Sequence, residues 1–141
     1  MKDDLEKITA FIDKHHVLSL ATHTQEDLSV CSLFYVYVKS INSFIVASSD
    51  ETLHIKHIKQ NNCVAGNILL ETKTVSQIQG VQFRASISHL ENTFTKEFYF
   101  QAFPDAREMN PKLWQIKVNY FKMTDNALGF GNKIIWQGSS L

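Results

Sequence analysis

The fold of this chain is decided by its longest alternating run, residues 74–90, which have the sequence TVSQIQGVQFRASISHL. From residue 81 onward every second side chain is apolar: Val81, Phe83, Ala85 and Ile87. Because successive side chains of a β-strand point to opposite faces, this spacing predicts a long strand with one face in the core. Gly80 interrupts the run, and we expect a β-bulge where the strand bends at this glycine.

Further strands are predicted on both sides of this run, at residues 17–22, 28–38, 44–47, 63–70, 113–124 and 134–136. In residues 113–124 the apolar alternation changes parity between Tyr120 and Phe121, which predicts another bulge. Apolar side chains at helical spacing predict short helices at residues 3–14, 50–60 and 93–102. Strands that follow one another with little βαβ alternation indicate a mainly β protein, an antiparallel barrel of six to seven strands with short flanking helices.

The size and charge of the chain limit its class. A length of 141 residues suits one domain, and no linker or repeat divides the sequence, so a single domain is expected over residues 1–141. The 14 basic and 14 acidic residues cancel, which argues against nucleic-acid binding because such proteins carry a basic excess. Acidic residues stand where a signal peptide needs an apolar segment, and no apolar run reaches the ~20 residues of a membrane span. We therefore expect a cytoplasmic protein that does not enter a membrane.

Motifs of the common catalytic classes are missing from the sequence. It contains no G-x-S-x-G elbow, no Walker loop and no G-x-G-x-x-G. Cys31 and Cys63 form no C-x-x-C pair, so we expect them to be packed inside strands in a reducing compartment. His54 and His57 lie three residues apart in a predicted helix, but no H-E-x-x-H motif accompanies them. We expect exposed helix histidines and no metal site.

The segment with most chemical promise is residues 47–54, ASSDETLH, where a strand gives way to a helix. The free N–H groups of a helix start, together with hydroxyl and histidine side chains, are able to hold a phosphate. The pair Ser48 and Glu51 also fits a capping box, which uses the same atoms to begin the helix. Asp50 and Glu51 repel a phosphate unless they point away. Both interpretations stay open from the residues alone.

Five stretches carry a resemblance to a known family. They are residues 32–35 (SLFY), 48–54 (SSDETLH), 64–66 (VAG), 79–84 (QGVQFR) and 124–136 (TDNALGFGNKIIW). Together with the order of elements, they resemble the FMN-binding split barrels related to pyridoxamine 5'-phosphate oxidase, and more narrowly their YhbP-type branch. The resemblance extends over nearly the whole chain. It implies a split β-barrel with Greek-key-like connections and a homodimer with an FMN site at each side of the subunit interface.

The resemblance also implies the cofactor contacts. Thr52 and His54 fall where the family binds the FMN phosphate, and Ser48 and Ser49 fall beside the flavin and ribityl chain. The backbone of Ser32, Leu33 and Phe34 falls at the isoalloxazine edge. Three further positions complete the set: Gln79, which reaches the cofactor of the other subunit, and Lys133 and Trp136, which either close over the flavin or simply pack a C-terminal strand.

Departures from the family pattern restrict what is carried over. Leu53 stands where the family has an arginine, and Thr124 stands where the oxidase has a tryptophan. The pyridoxine substrate is therefore not transferred, and no catalytic residue is assigned. The leading hypothesis is an FMN-dependent oxidoreductase acting on a small molecule. The alternatives are a non-catalytic flavin-binding or interaction module and a haem-binding or haem-degrading split barrel, which is weakened because no histidine follows His89.

Overall fold

A computed structural model describes residues 2–138. Met1 and residues 139–141, the ends of the predicted domain, lie outside the described residues. Three α-helices are present in the described part: α1 (Lys2–Asp13), α2 (Leu53–Gln60) and α3 (Thr93–Ala102). The strands of the same part are β1 (Val17–His23), β2 (Leu28–Val38), β3 (Ser43–Ala47), β4 (Cys63–Leu69), β5 (Gln79–His89), β6 (Leu113–Asp125) and β7 (Lys133–Gln137). None of the helices has the length and apolar composition needed to span a bilayer, counting only the described residues.

Six of the strands close into an antiparallel barrel. Their order is β3-β2-β1-β4-β5-β6, and β6 pairs with β3 to complete the circle. β7 is an additional strand that pairs with the second half of β6. The chain leaves β3 through α2 and returns as β4 beside β1, so the connection passes over two strands. The predicted antiparallel barrel with short helices is confirmed.

The barrel interior is filled by aromatic rings. Phe44 lies at its centre, with ring centroids 4.9 Å from Phe83 and 6.3 Å from Phe121. Such tilted and edge-on contacts suit the charge distribution of aromatic rings. Gly66 of β4 is needed for this packing because a Cβ atom there collides with the Phe83 ring and with the Ser19 carbonyl oxygen. Helix α1 contributes Ile8, Ile12 and other apolar side chains to the same core.

The bulge in the long β5–β6 ribbon lies on β6 and not at Gly80. Gly80 pairs in regular register with Leu69 on one side and Thr124 on the other. The register shifts where Arg84 faces Tyr120 but Ala85 faces Val118, which leaves Asn119 as the extra residue. The bulge expected at Gly80 is therefore wrong, whereas the one expected from the parity change in β6 is confirmed. The apolar alternation of β5 is unbroken, so only its partner strand needs the extra residue.

Helix α3 covers one outer part of the barrel and leaves another uncovered. A second apolar cluster forms beneath α3, from Val38, Ile45, Leu90, Tyr99 and Leu113. Within residues 2–138, no helix covers the outward face of β1, β2 and β4 in this way, and none of these three strands contains Asp, Glu, Lys or Arg. We refer to this surface as the charge-free face. Its most exposed apolar side chains are Leu28 (82%), Val30 (70%), Leu69 (57%) and Phe34 (55%).

Candidate cofactor site at the junction of β3 and α2

The junction between β3 and α2 is closed by Thr52 rather than by Ser48. Thr52 has an extended backbone, and its Oγ1 accepts a hydrogen bond from Ile55 N at 3.4 Å. An N-cap oxygen must stand directly before the first helical turn, and the helix begins at Leu53, so Ser48 is too distant to cap it. The capping box of Ser48 and Glu51 is therefore wrong, and so is the predicted helix start at residue 50.

Three predicted phosphate or flavin ligands lie together at this junction. The Ser48 Oγ lies 2.5 Å from His54 Nε2, and the Thr52 Oγ1 lies 3.3 Å from the same nitrogen. The backbone of Ser48 is fixed, because its N–H donates to the Lys112 carbonyl and its carbonyl accepts from the Trp114 indole. Two hydroxyls and an imidazole therefore converge on a rigid backbone. Ser49 is exposed beside them, and its carbonyl accepts from Thr52 Oγ1.

The negative charge of Asp50 is neutralised within the chain. Lys112 Nζ donates to both carboxylate oxygens at 2.9 and 3.0 Å, and Lys59 Nζ lies 3.0 Å from Oδ1. The hydrogen bonds from Lys112 and then Lys59 lower the pKa of Asp50. The carboxylate that seemed to oppose an anion at this junction is thus held by two cations.

The environment of His54 favours the neutral imidazole over the charged one. Burial is the main cause that lowers its pKa from the usual 6.5, and the nearby His57 lowers it further. A neutral ring accepts a hydrogen bond at one nitrogen only, so Nε2 is able to accept from the hydroxyl of Ser48. Protonation would convert this nitrogen into a donor.

His57 has a different environment from the one expected. It is 3% exposed, its Nδ1 lies 2.9 Å from the buried Thr22 hydroxyl, and its Nε2 lies 3.1 Å from Asp27 Oδ2. The expectation of an exposed helix histidine is wrong for this residue, because α2 packs its inner face against the β1–β2 hairpin. Within residues 2–138, no group of three His, Cys, Asp or Glu side chains is arranged to hold a metal ion.

The predicted β2 residues divide between two faces. Ser32 and Phe34 point outward and are exposed, whereas Leu33 points inward and is half-buried against the core. The Phe34 ring stacks on His16 with centroids 5.8 Å apart and meets Phe103 edge-on at 5.6 Å. Ser32 and Phe34 therefore belong to the charge-free face.

Gln79, Lys133 and Trp136 lie far from the junction within one chain. Ala47 of β3 pairs with Leu113 at the start of β6, whereas Gln79 pairs with Asp125 at the end of β6. Twelve residues of strand separate these two positions, up to about 40 Å at ~3.3 Å per residue. Each of the three side chains has a local partner: Gln79 donates to Asp125, Lys133 donates to the Gly131 carbonyl, and Trp136 packs on Phe121.

The structure corrects the prediction for one cysteine and shows an arginine to which the sequence assigned no role. Cys63 is exposed at the first residue of β4, so its expected packing inside a strand is wrong; Cys31 is half-buried, and burial raises its pKa. Arg84 is exposed, with its guanidinium carbon 4.6 Å from the centre of the Tyr120 ring. Its polar position in β5 was visible in the sequence, but the facing tyrosine depends on the bulge at Asn119.

Comparison with known proteins fixes the family. No family model matches the chain. A UPF0306 protein of Cronobacter sakazakii is 36% identical over 137 residues, which is 95% of either chain. The UPF0306 protein YhbP of Escherichia fergusonii is 33% identical and covers 98% of this chain and 96% of its own. The chain belongs to the UPF0306 family. The resemblance to the YhbP-type branch is thereby confirmed.

Solved structures share the fold of this UPF0306 chain at low sequence identity. A haem-binding protein of Mycobacterium smegmatis matches 96% of this chain and 57% of its own with a TM-score of 0.73 at 16% identity. A FAD-binding protein of Mesorhizobium loti matches 84% and 90% with a TM-score of 0.70 at 13% identity. A protein provisionally described as a pyridoxamine 5'-phosphate oxidase, from Listeria innocua, matches 84% and 95% with a TM-score of 0.67 at 13% identity. The UPF0306 chain therefore has the fold of the pyridoxamine 5'-phosphate oxidase-like split barrels, among which some proteins bind flavin and some bind haem.

Proposed function

We propose that this protein binds FMN at the junction of β3 and α2, as a homodimer, and acts as a flavin-dependent oxidoreductase on a small molecule. The observation that carries the proposal is the convergence of Ser48, Thr52 and His54 beside a carboxylate, Asp50, that two lysines neutralise. A FAD-binding protein with the same fold supports the choice of a flavin.

The donor set at the junction fits a phosphate. Helix α2 begins at Leu53. The N–H groups of Ile55 and Lys56 are already bonded to Thr52, at its Oγ1 and its carbonyl, whereas those of Leu53 and His54 have no acceptor among the described residues. These last two N–H groups, the two hydroxyls and His54 give a phosphate several hydrogen-bond donors at the positive end of a helix dipole. Because Lys112 and Lys59 hold Asp50, the dianion is not opposed by a free carboxylate at that position.

Binding exchanges one set of hydrogen bonds for another. Ser48 and Thr52 now contact His54, and phosphate oxygens would take the place of those internal contacts. Phosphate should bind most tightly when His54 is protonated, because a charged donor forms the stronger hydrogen bond to an anion. Phosphate binding is thus expected to draw a proton onto His54.

A second copy of the chain accounts for the other predicted contacts. The charge-free face exposes Leu28, Val30 and Phe34 on strands without a charged residue, and exposed apolar patches of this kind mark interaction sites. Ser32 lies on the same face, so a cofactor beside β2 would lie at the interface. Gln79, Lys133 and Trp136 are too distant to share the junction of their own chain, and we expect them to approach the cofactor of the other copy.

In this proposal the flavin and the protein have different roles. The flavin, when bound, supplies the electron and hydride chemistry. The residues of this chain bind its phosphate, orient its ring beside β2 and exclude water at the dimer interface. No acid–base side chain of the chain is required for these roles, which agrees with the missing hydrolase motifs.

The proposal is tested by comparing FMN with riboflavin, which lacks the phosphate. We expect the double variant Thr52→Ala and His54→Ala to bind FMN at least about tenfold more weakly, since each lost charge-assisted hydrogen bond is worth ~1.5–3 kcal/mol. Riboflavin binding should change by less than about threefold. The control is His15→Ala, whose imidazole packs on Phe11 just after α1, away from the junction. Equal weakening of both ligands would place the phosphate elsewhere.

An absorption spectrum of the concentrated protein separates the alternatives. Flavin bands that bleach with dithionite support the proposal, and a Soret band on haemin titration supports a haem protein. A colourless protein that does not bind added FMN in a fluorescence titration would favour a non-catalytic interaction module. Sedimentation of the same sample reports whether the protein is a dimer.

A further inference from the structure

A groove of about 830 Å³ lies on the outside of the barrel, away from the junction. It extends from the β1–β2 hairpin across β4 and β5 to the bulge of β6. None of the ten predicted cofactor residues lines it. Ala21 and Ala65, which face each other on β1 and β4, form the floor of the groove. Because both side chains are small, the floor lies below the larger side chains of Leu28 and Tyr120 on either side.

Arg84 is a cation without a partner in this groove. Within residues 2–138 its guanidinium forms no salt bridge and no side-chain hydrogen bond, and the lining of the groove contains no aspartate or glutamate. The chain has one other arginine, Arg107, which makes a two-pronged contact with Glu97 at 2.8 and 2.9 Å. Arg107 lies elsewhere on the protein and has a carboxylate partner, whereas Arg84 has none among the described residues.

The backbone fixes the position of this cation. The bulge at Asn119 brings Tyr120 directly opposite Arg84, and the guanidinium carbon lies 4.6 Å from the ring centre. The Gly138 N–H donates to the Asn119 carbonyl at 2.9 Å, which closes one end of the groove. Stacking on the ring holds the planar guanidinium but leaves its edge N–H groups free to bind an anion.

We propose that the groove binds a small organic anion. Its carboxylate or phosphate pairs with the free edge of Arg84, and its flat apolar part lies over Ala21 and Ala65 beside Tyr120. Asn62, Ser86 and His23 supply polar contacts at the rim. A guanidinium binds such oxyanions through two parallel hydrogen bonds, which selects a planar acid group over a neutral one. The site is separate from the junction and does not need bound FMN, but Ala21, Ala65 and Leu28 also belong to the charge-free face. The proposal therefore requires that a dimer formed through that face leave the groove open.

The test uses two probe anions, benzoate and phenyl phosphate, with benzyl alcohol as the neutral analogue. Each is titrated into ¹⁵N-labelled protein, and the amide shifts of Ala21, Ala65 and Ser86 are followed. We expect both anions to shift these amides with affinities at least tenfold higher than that of the alcohol. Arg84→Gln should weaken anion binding by about tenfold or more, Arg84→Lys should weaken it less, and the matched control Arg107→Gln should leave it unchanged.

Three results would overturn the proposal. One is binding of benzyl alcohol as tight as that of benzoate, and another is unchanged anion binding in Arg84→Gln. In the third, Arg84→Gln changes the dimer dissociation constant in sedimentation while the wild-type protein shows no anion-dependent shifts. That result would assign the groove to contact between two copies of the chain. Arg84 is exposed, so Arg84→Gln is expected to fold, and its amide spectrum checks this directly.

Discussion

Two histidines on one helix show how environment decides the role of a residue. His54 and His57 lie three positions apart in α2, and both were expected on its exposed surface. His54 is half-buried and contacts two hydroxyls at the junction. His57 is buried, and both ring nitrogens have protein partners, Thr22 and Asp27. One histidine fastens the helix to a hairpin, and the other is available for chemistry.

The difference comes from partners that are distant in the sequence. Thr22 and Asp27 precede His57 by 35 and 30 residues, whereas Ser48 and Thr52 precede His54 by only six and two. The contact of Thr22, His57 and Asp27 looks like a hydroxyl–imidazole–carboxylate relay, but the hydroxyl residue is 1% exposed. Because the hydroxyl is buried, we interpret this contact as structural: it fastens α2 to the β1–β2 hairpin.

Removal of His57 should have the largest effect on stability. His57→Ala leaves the Thr22 hydroxyl without its partner in the core and opens a cavity, so we expect the free energy of unfolding to fall by about 3 kcal/mol. Urea denaturation measures the change. The matched variant His54→Ala loses a half-buried ring whose hydroxyl partners can turn to water, and it should cost less than about 1 kcal/mol. Equal losses would show that the two histidines play the same part.

Removal of the helix cap should have a smaller effect. Thr52→Ala deletes the oxygen that accepts from Ile55 N, and loss of an N-cap typically costs ~1 kcal/mol. Ser48→Ala leaves the cap in place, so its free energy of unfolding should stay within about 0.5 kcal/mol of the wild type. Thermal or urea denaturation of the two variants distinguishes them. A larger loss in Ser48→Ala than in Thr52→Ala would mean that Ser48, and not Thr52, caps the helix.

Much of the fold could be predicted from the sequence because β-strand alternation is a local property. The alternation of Val81, Phe83, Ala85 and Ile87 gave the central strand, and the parity change before Phe121 gave the bulge in β6. The bulge predicted at Gly80 was wrong because a glycine permits a bulge without requiring one. Its pairing with Leu69 and Thr124 is regular. The family resemblance was confirmed by relatives that match almost the full length of the chain.

The candidate site was only partly predictable because its electrostatics depend on distant residues. The short segment from Ser48 to His54 was found, since its members are close in sequence. Lys112, which neutralises Asp50, lies 62 residues further along the chain and carries no recognisable signal. Arg84 faces Tyr120 only because the strands pair as they do. A sequence pattern identifies the side chains that one segment presents. Which of their charges have a partner depends on how distant strands pair, and the pattern does not contain that information.

The smallest predicted effect is a pH dependence of FMN binding that only His54 should produce. Burial lowers the pKa of His54 in the free protein, which favours the neutral ring, and a bound phosphate would raise that pKa again. Binding then takes up a proton, and by linkage FMN affinity rises as the pH falls. Between pH 8 and pH 6.5, above the second phosphate pKa of ~6, we expect FMN to bind a few-fold more tightly while riboflavin is unaffected. Fluorescence titrations at three pH values measure the slope. His54→Gln should abolish it, and a slope that persists in His54→Gln would mean that another group takes up the proton.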